Sequence, residues 1–381
     1  MTRATLCTRT LALLALMVLP LCTGQVLAQV TPAAGYTPPD DTPSFKVGTV
    51  IFADYTYTEE PTTTDVDGNT IHPQSFNVAR AYINLTGNIN HLVGFRVTPD
   101  IVSAATTNGP TDAVSSSLDG SLVFRLKYAY GQFNLDNAWS KGSWVRFGVN
   151  QTPYVDFMEG IYRYRFQGQI FVERDGFISS SDFGASLHYN FGGNYGDLQA
   201  GYYNGDTYKK GEANDQQAFQ ARVSFRPAPM VAALQGLRIT GFYDADHYAQ
   251  SDARTRTIGA LTYEQKHVHA GFEYLDAKDQ TTAAAADVRS KGYSAWATPI
   301  FGKGWEGLLR YDHLEPTQNS AKAYVDDAVK ERKIAGISYW FKTAAPNAQA
   351  ALLLDWEGVE YDPGLNRDNE RRYAFHTLFT F

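Results

Sequence analysis

Sulfur is scarce in this chain, with two cysteines and four methionines in 381 residues. Both cysteines, Cys7 and Cys22, lie close to the N-terminus. Everything after them lacks a thiol, which excludes a disulfide framework and a Cys-ligated metal. Long apolar runs are missing too. No stretch beyond the first 28 residues approaches the length of about 18 residues that a membrane helix needs, and mean hydropathy is below zero. Basic residues are the minority, 33 against 40 acidic, which argues against a nucleic-acid partner. The chain has no Gly-x-Ser-x-Gly elbow and no phosphate-binding Gly-Lys-Ser/Thr loop. "DVDGNT" resembles part of a calcium loop, but its Gly is misplaced for one. His267 and His269 in "KHVHAG" share an alternating face without a Cys or carboxylate at matching spacing. No metal and no cofactor is expected.

The first residues read as an export signal. Arg3 and Arg9 precede an apolar run from Leu11 to Leu21, and Val26 and Ala28 stand at the recognition positions for cleavage after Ala28. Residues 1–28 are therefore expected to be a signal peptide. Its loss would leave 31 basic residues against 40 acidic, a net charge of −9. Residues 29–44, "QVTPAAGYTPPDDTPS", form a Pro-rich flexible lead-in. Residues 45–381 form one domain.

What is abundant is aromatic side chains and glycine: 24 Tyr, 22 Phe and 32 Gly. They come in period-2 segments, and sixteen are predicted: 45–57, 74–88, 90–105, 120–137, 142–151, 180–190, 195–205, 215–227, 234–248, 253–265, 267–278, 288–300, 304–314, 328–342, 347–361 and 368–381. In "SWVRFGVN", Val145, Phe147 and Val149 oppose Arg146, Gly148 and Asn150. Odd-to-even links are mostly long and polar, and even-to-odd links mostly short, such as "NIN" and "FGKG". Such phasing belongs to an outer-membrane barrel, with long loops outside and short turns at the periplasmic end. The predicted class is all-β: a transmembrane antiparallel β-barrel of sixteen strands, wide enough for a water-filled lumen. Phe133, Trp144, Phe191, Tyr195, Phe301, Trp305, Trp340 and Phe341 lie near the short turns and would form the periplasmic aromatic girdle.

One connection breaks the pattern. Residues 151–181, between the fifth and sixth strands, are long and aromatic. Aromatic side chains need burial, so this loop is expected to fold inward and narrow the pore. Alternation places Arg80, Arg96, Arg125, Lys127 and Arg146 on the inner face of strands two to five. The loop adds Arg163, Arg165 and Arg174 with Asp156, Glu159, Glu173 and Asp175. Asp244, Asp246, Glu273, Asp312, Asp355 and Glu357 give the opposite wall an acidic character. Either a transverse field or a basic ladder selective for anions would result.

"FNVARAYINLTGNINHLVGFRVTPDI", "LKYAYGQFNL" and "WVRFGVNQTPY" with the loop after it resemble the phosphate-selective porin O and P family of outer-membrane porins. The resemblance implies a sixteen-stranded barrel, a homotrimer in outer-membrane lipid, and diffusion of small polar or anionic solutes. Arg80, Arg96, Arg125 and Arg146 match the family's lumen Arg ladder. Its Lys cluster has no evident counterpart, because Lys209 and Lys210 fall in an outer loop beside Glu212. A general or weakly anion-preferring porin is the expectation. A barrel enzyme of lipase or protease type and a plugged, substrate-specific transporter are the rivals. The final segment, "RRYAFHTLFTF", is expected to close the barrel against the first strand, with Phe381 resembling the signal read by barrel-assembly machinery. Leu378 falls on its inner face without explanation.

Overall fold

The computed structural model describes residues 41–103, 121–209, 211, 214–250, 252–280, 287–316, 328–344 and 348–381. The expected signal peptide and most of the lead-in lie outside these residues. Period-2 alternation produces what it should. The barrel strands are β1 (Ser44–Glu60), β2 (Gln74–Asn88), β3 (Val93–Ser103), β4 (Leu122–Asn134), β5 (Trp144–Gln151), β6 (Ser181–Phe191), β7 (Gly196–Tyr203) and β8 (Ala218–Phe225). They continue with β9 (Leu237–Ala249), β10 (Asp252–Gln265), β11 (Val268–Asp279), β12 (Val288–Gly302), β13 (Trp305–Glu315), β14 (Lys330–Trp340), β15 (Gln349–Tyr361) and β16 (Glu370–Thr380). Each pairs antiparallel with its neighbours in sequence, and β16 pairs with β1 to close the sheet. Closure leaves no edge unsatisfied in lipid.

The seam is made by the last segment of the chain. Phe52 stands opposite Leu378 and Asp54 opposite His376. Phe381 extends the ladder, donating its N–H to the Thr49 carbonyl at 3.0 Å and accepting from Thr49 N–H at 2.8 Å. Tyr373, Phe375, Phe379 and Phe381 are exposed on the outer surface, while Ala374, His376 and Leu378 are buried inside.

Two links depart from the expected phase. Only residues 250 and 251 separate β9 from β10 at the long-loop end, and residues 226–236 form a long link between β8 and β9 at the other. The expected girdle also needs correction. Phe133, Tyr195, Phe301, Trp305 and Phe341 are exposed outside. Trp144 and Trp340 point inward, because the two-residue period puts them on the face of Arg146 and Ser338. Trp144 stacks on His188 with ring centroids 5.2 Å apart. Trp340 Nε1 donates to Tyr164 Oη at 3.3 Å. His267 lies in the β10–β11 turn, so it shares no strand face with His269.

The connection between β5 and β6 folds into the barrel, as its aromatic content required. It carries α1 (Pro153–Tyr162) and α2 (Phe171–Arg174). Pro153 at the first helical position presets φ, and Asp156 in the first turn complements the helix dipole. Tyr154, Val155, Met158, Ile161 and Tyr162 form one buried stripe at helical spacing. That stripe, with Tyr164, Phe166, Ile170 and Phe171, packs on an apolar patch of the inner wall. The patch comprises Phe242, Ile258, Leu275, Trp296, Leu308, Ile334, Leu353, Leu378 and Phe52. Leu378 is thereby explained, since it faces this loop instead of water. Burying one such Leu or Phe side chain contributes about 1.5–3 kcal/mol, so the patch anchors the loop firmly.

Candidate functional site: the lumen beside the folded loop

Among the described residues the loop's tethers gather on one side of the barrel, and polar contacts locate that side. Tyr154 Oη donates to Glu273 on β11 at 2.6 Å. Arg163 Nη2 donates to both oxygens of Glu306 on β13, at 2.6 and 2.8 Å. Tyr164 Oη contacts Ser338 Oγ on β14 at 2.7 Å. Gln167 Nε2 donates to Asp355 and Glu357 on β15 at 2.9 and 3.0 Å. Wall arginines reach the loop backbone in return: Arg222 to the Pro153 carbonyl, Arg310 to that of Gln169 and Arg256 to that of Phe177.

The acids expected to line this wall do face inward: Asp246, Asp312 and Glu357 are met by arginines and Asp355 by His376, while Asp244 and Glu273 form no ion pair among the described residues. Arg310 pairs with Asp312 at 2.8 Å, and Arg254 with Asp246 at 3.1 Å. Glu357 lies among Arg174, Arg332 and Arg372. Asp175 of the loop joins Lys330 and Arg332. His376 sits 3.1 Å from Asp355. Sequence reading named the acids and passed over Arg222, Arg254, Arg256, Arg310 and Arg332. All five stand at inward positions of their strands, four of them buried and Arg254 half-buried, so the same alternation that selected the acids would have found them. Most of this wall is a mesh of ion pairs.

The β2–β5 wall is built differently. Asp100 Oδ2 accepts from Arg80 at 2.6 Å and from Arg125 at 2.8 and 3.1 Å, so one carboxylate serves two guanidiniums. Arg96 donates only to neutral partners, Thr98 Oγ1 at 2.9 Å and Asn84 Oδ1 at 2.8 Å. Its guanidinium lies over the Tyr128 ring, 4.5 Å from the centroid. Lys127 Nζ donates to Tyr82 Oη at 3.1 Å and lies over the rings of Tyr82 and Tyr128. Arg146 donates to Gln132 and Gln151 and stacks on Trp144, 3.7 Å from the ring centroid. Among the described residues none of these three forms an ion pair. A bulge contributes to this arrangement. Thr98 pairs with Tyr128 but Pro99 with Leu126, leaving Lys127 as an extra residue on β4. Lys127 and Tyr128 are consequently both buried on the inner side. Pro99 has no N–H to offer the ladder, which suits a bulge.

The loop's other face looks towards these cations. Arg96, Lys127 and Arg146 all act on Asp156, whose carboxyl is raised by burial against their pull. Burial pushes Glu159 up to about 7. Arg165 lies between Glu159 and Glu173, 3.3 Å from the latter, and opposes that rise. Of the loop residues picked from sequence, Arg163 and Arg174 tether the loop to the wall and Arg165 links α1 to α2. Asp156 and Glu159 remain as the acids on the side of the cationic wall. Lys209 is exposed in the β7–β8 connection, with Nζ 5.9 Å from the Tyr208 ring centroid. Burial, then Arg125 and Arg80, depress its pKa. Lys210 and Glu212 lie outside the described residues. The "DVDGNT" segment forms a hairpin end in which Asp65 Oδ1 accepts from Asp67 and Asn69 N–H.

No protein-family model matches the chain, and no curated protein matches it. The resemblance to phosphate-selective porins therefore rests on the residues alone. Solved structures do match in fold. The anion-selective porin from Comamonas acidovorans aligns at TM-score 0.57 and 12% identity, covering 89% of this chain and 100% of its own. The outer membrane channel DcaP of Acinetobacter baumannii aligns at 0.56 and 11%, covering 89% and 97%. Salmonella typhi OmpF aligns at 0.57 and 13%, covering 88% and 97%. This chain is similar to them in architecture: a closed sixteen-stranded barrel of the outer-membrane porin type.

Proposed function

We propose that the protein is an outer-membrane porin through which small hydrophilic solutes diffuse passively, with a preference for anions. The observation that carries this reading is the state of Arg96, Lys127 and Arg146. Cations held on aromatic faces and amides keep their charge uncompensated, whereas cations in carboxylate pairs present little net field. A lumen with one such wall attracts anions, and rate and preference follow from pore width and wall charge without a chemical step. The anion-selective Comamonas porin of like fold agrees with this. Export through the segment 1–28, assembly guided by the segment ending at Phe381, and a homotrimer in the outer membrane belong to the same reading. Phosphate is one candidate anion, since arginines offer planar forks for it.

Reversal potentials in planar bilayers test the proposal. A potassium chloride gradient should give a potential of the sign set by chloride, and the Arg96→Gln, Lys127→Gln, Arg146→Gln triple variant should move it towards cation preference. An unchanged potential in the triple variant refutes the role of this wall. Replacing chloride by phosphate then ranks the two anions.

A further inference from the structure

We propose that Tyr208 is a positioning residue for Arg125, which makes the turn at residues 204–208 a second selectivity element of the pore. The inference rests on the anion-preferring reading above.

The wall has a gap where the long loop leaves it. β5 pairs with β4 only from Ala129 to Asn134, so Leu122–Tyr128 have no β5 neighbour. Residues 204–208, which follow β7, reach into that space. Asn204 N–H donates to the Phe183 carbonyl at 2.9 Å, Gly205 N–H to Asp182 Oδ2 at 2.9 Å and Tyr208 N–H to the Ser181 carbonyl at 3.2 Å. Ser181 Oγ in turn reaches the Lys127 carbonyl on β4 at 3.0 Å. Gly205 has φ +96°, and a Cβ there would meet Asp246 Oδ1 at 2.5 Å, so only glycine fits. Thr207 is held at φ +70°, a conformation that a β-branched residue adopts only under constraint.

The product of this pinned turn is one ring. Tyr208 is buried, and Arg125 Cζ lies 4.9 Å from its centroid. Asp100 holds Arg125 through Nε and Nη2, and the ring supplies a second support. Arg125 side chain is 28% exposed, against 15% for Arg80 and almost nothing for Lys127 and Arg146. It is therefore the cation of these four that a passing solute meets most directly, and the one whose orientation matters most. A guanidinium flat on a ring keeps a fixed plane and loses less freedom when it binds a planar anion.

The test is a double-mutant cycle read as the chloride-to-potassium permeability ratio of single channels, with heat-modifiable gel migration reporting the folded barrel. Tyr208→Leu should lower the ratio about two- to fivefold, the change such a contact carries. Tyr208→Phe should leave it at the wild-type value. In an Arg125→Gln background, Tyr208→Leu should add nothing. Should the leucine variant fail the gel test, Tyr208→Gln takes its place with the same expectation. A folded ring-less variant with an unchanged ratio overturns the proposal, and so does an equal drop in the Arg125→Gln background. If the Arg96, Lys127 and Arg146 substitutions shift the reversal potential while loss of the ring does not, this inference alone fails. If neither does, the anion reading fails with it.

Discussion

Arg96 and Arg332 are both guanidiniums on the inner surface of one barrel, in opposite surroundings. Arg332 reaches Asp175, Asp312 and Glu357. Arg96 has a threonine, an asparagine and a tyrosine face. The difference follows the loop. Where the loop docks, from β8 round to β16 and β1, most inner-wall cations are paired with acids of wall and loop, and apolar side chains seal the joint. Where it does not dock, on β2–β5, Arg96, Lys127 and Arg146 are supported by neutral groups that leave their charge in place, and Arg80 and Arg125 share the single carboxylate of Asp100. On the proposed reading, the first region builds the constriction and the second gives it a sign. A charge count of the chain could not have told them apart.

The sharpest way to break the comparison is to remove an acid from the docked side. Glu357 is buried among three guanidiniums. Glu357→Gln leaves them facing one another, and breaking a buried pair in this way costs about 3–5 kcal/mol. The unfolding temperature read by heat-modifiable migration should fall clearly. Arg96→Gln should leave it nearly unchanged while altering permeability. A similar fall for both would mean that the two walls are not built on different principles.

Next in size is the apolar joint. Phe171 of α2 is fully buried in the loop–wall cluster. Phe171→Ala should cost about 3–5 kcal/mol, part of it released as loop motion. Single-channel records should show larger and noisier conductance. A wild-type trace would place the constriction elsewhere.

These regions were unequally legible. Alternation gave all sixteen strands, since each strand has one face in water and one against lipid, and a slip of one residue would exchange the faces. The same rule named Arg80, Arg96, Arg125, Lys127 and Arg146 as inward residues. It was applied too loosely at Trp144 and Trp340, where nearness to a turn outweighed the two-residue period. The docking patch was visible in principle, as Leu275, Leu308, Ile334 and Leu353 break the polar pattern of a lumen face. Only Leu378 was noticed, and a single inward Leu does not define a surface. The pairing of Arg310 with Asp312 and the sharing of Asp100 by Arg80 and Arg125 depend on side-chain reach, which strand periodicity does not encode.

A smaller effect separates the loop's acids from the wall's. Glu159 is half-buried beside Arg165 and Glu173 and acted on by Lys127, and loss of solvation pushes its carboxyl up to about 7. A raised carboxyl holds its proton below that value, so acidification removes a negative charge opposite the cationic wall. Anion preference should rise as pH falls from about 8 to 6, and Glu159→Gln should fix the channel near its acidic behaviour at both pH values. A pH-independent ratio in the wild-type channel would exclude Glu159 from the conducting path.

The smallest test uses two tryptophans near the same end of the barrel. Trp305 is exposed on the outer surface, and Trp340 donates its indole N–H to Tyr164 inside. Phenylalanine keeps a ring in either place but has no N–H. Trp340→Phe removes a half-buried hydrogen bond worth about 0.5–1.5 kcal/mol and leaves Tyr164 with Ser338 and Glu306 as its remaining partners. Trp305→Phe removes a donor that faces the lipid–water boundary, where water and headgroups replace it readily. Thermal shifts of the folded band should therefore be measurable for the first and close to zero for the second. The reverse order would return Trp340 to the outer girdle and detach the loop from β14.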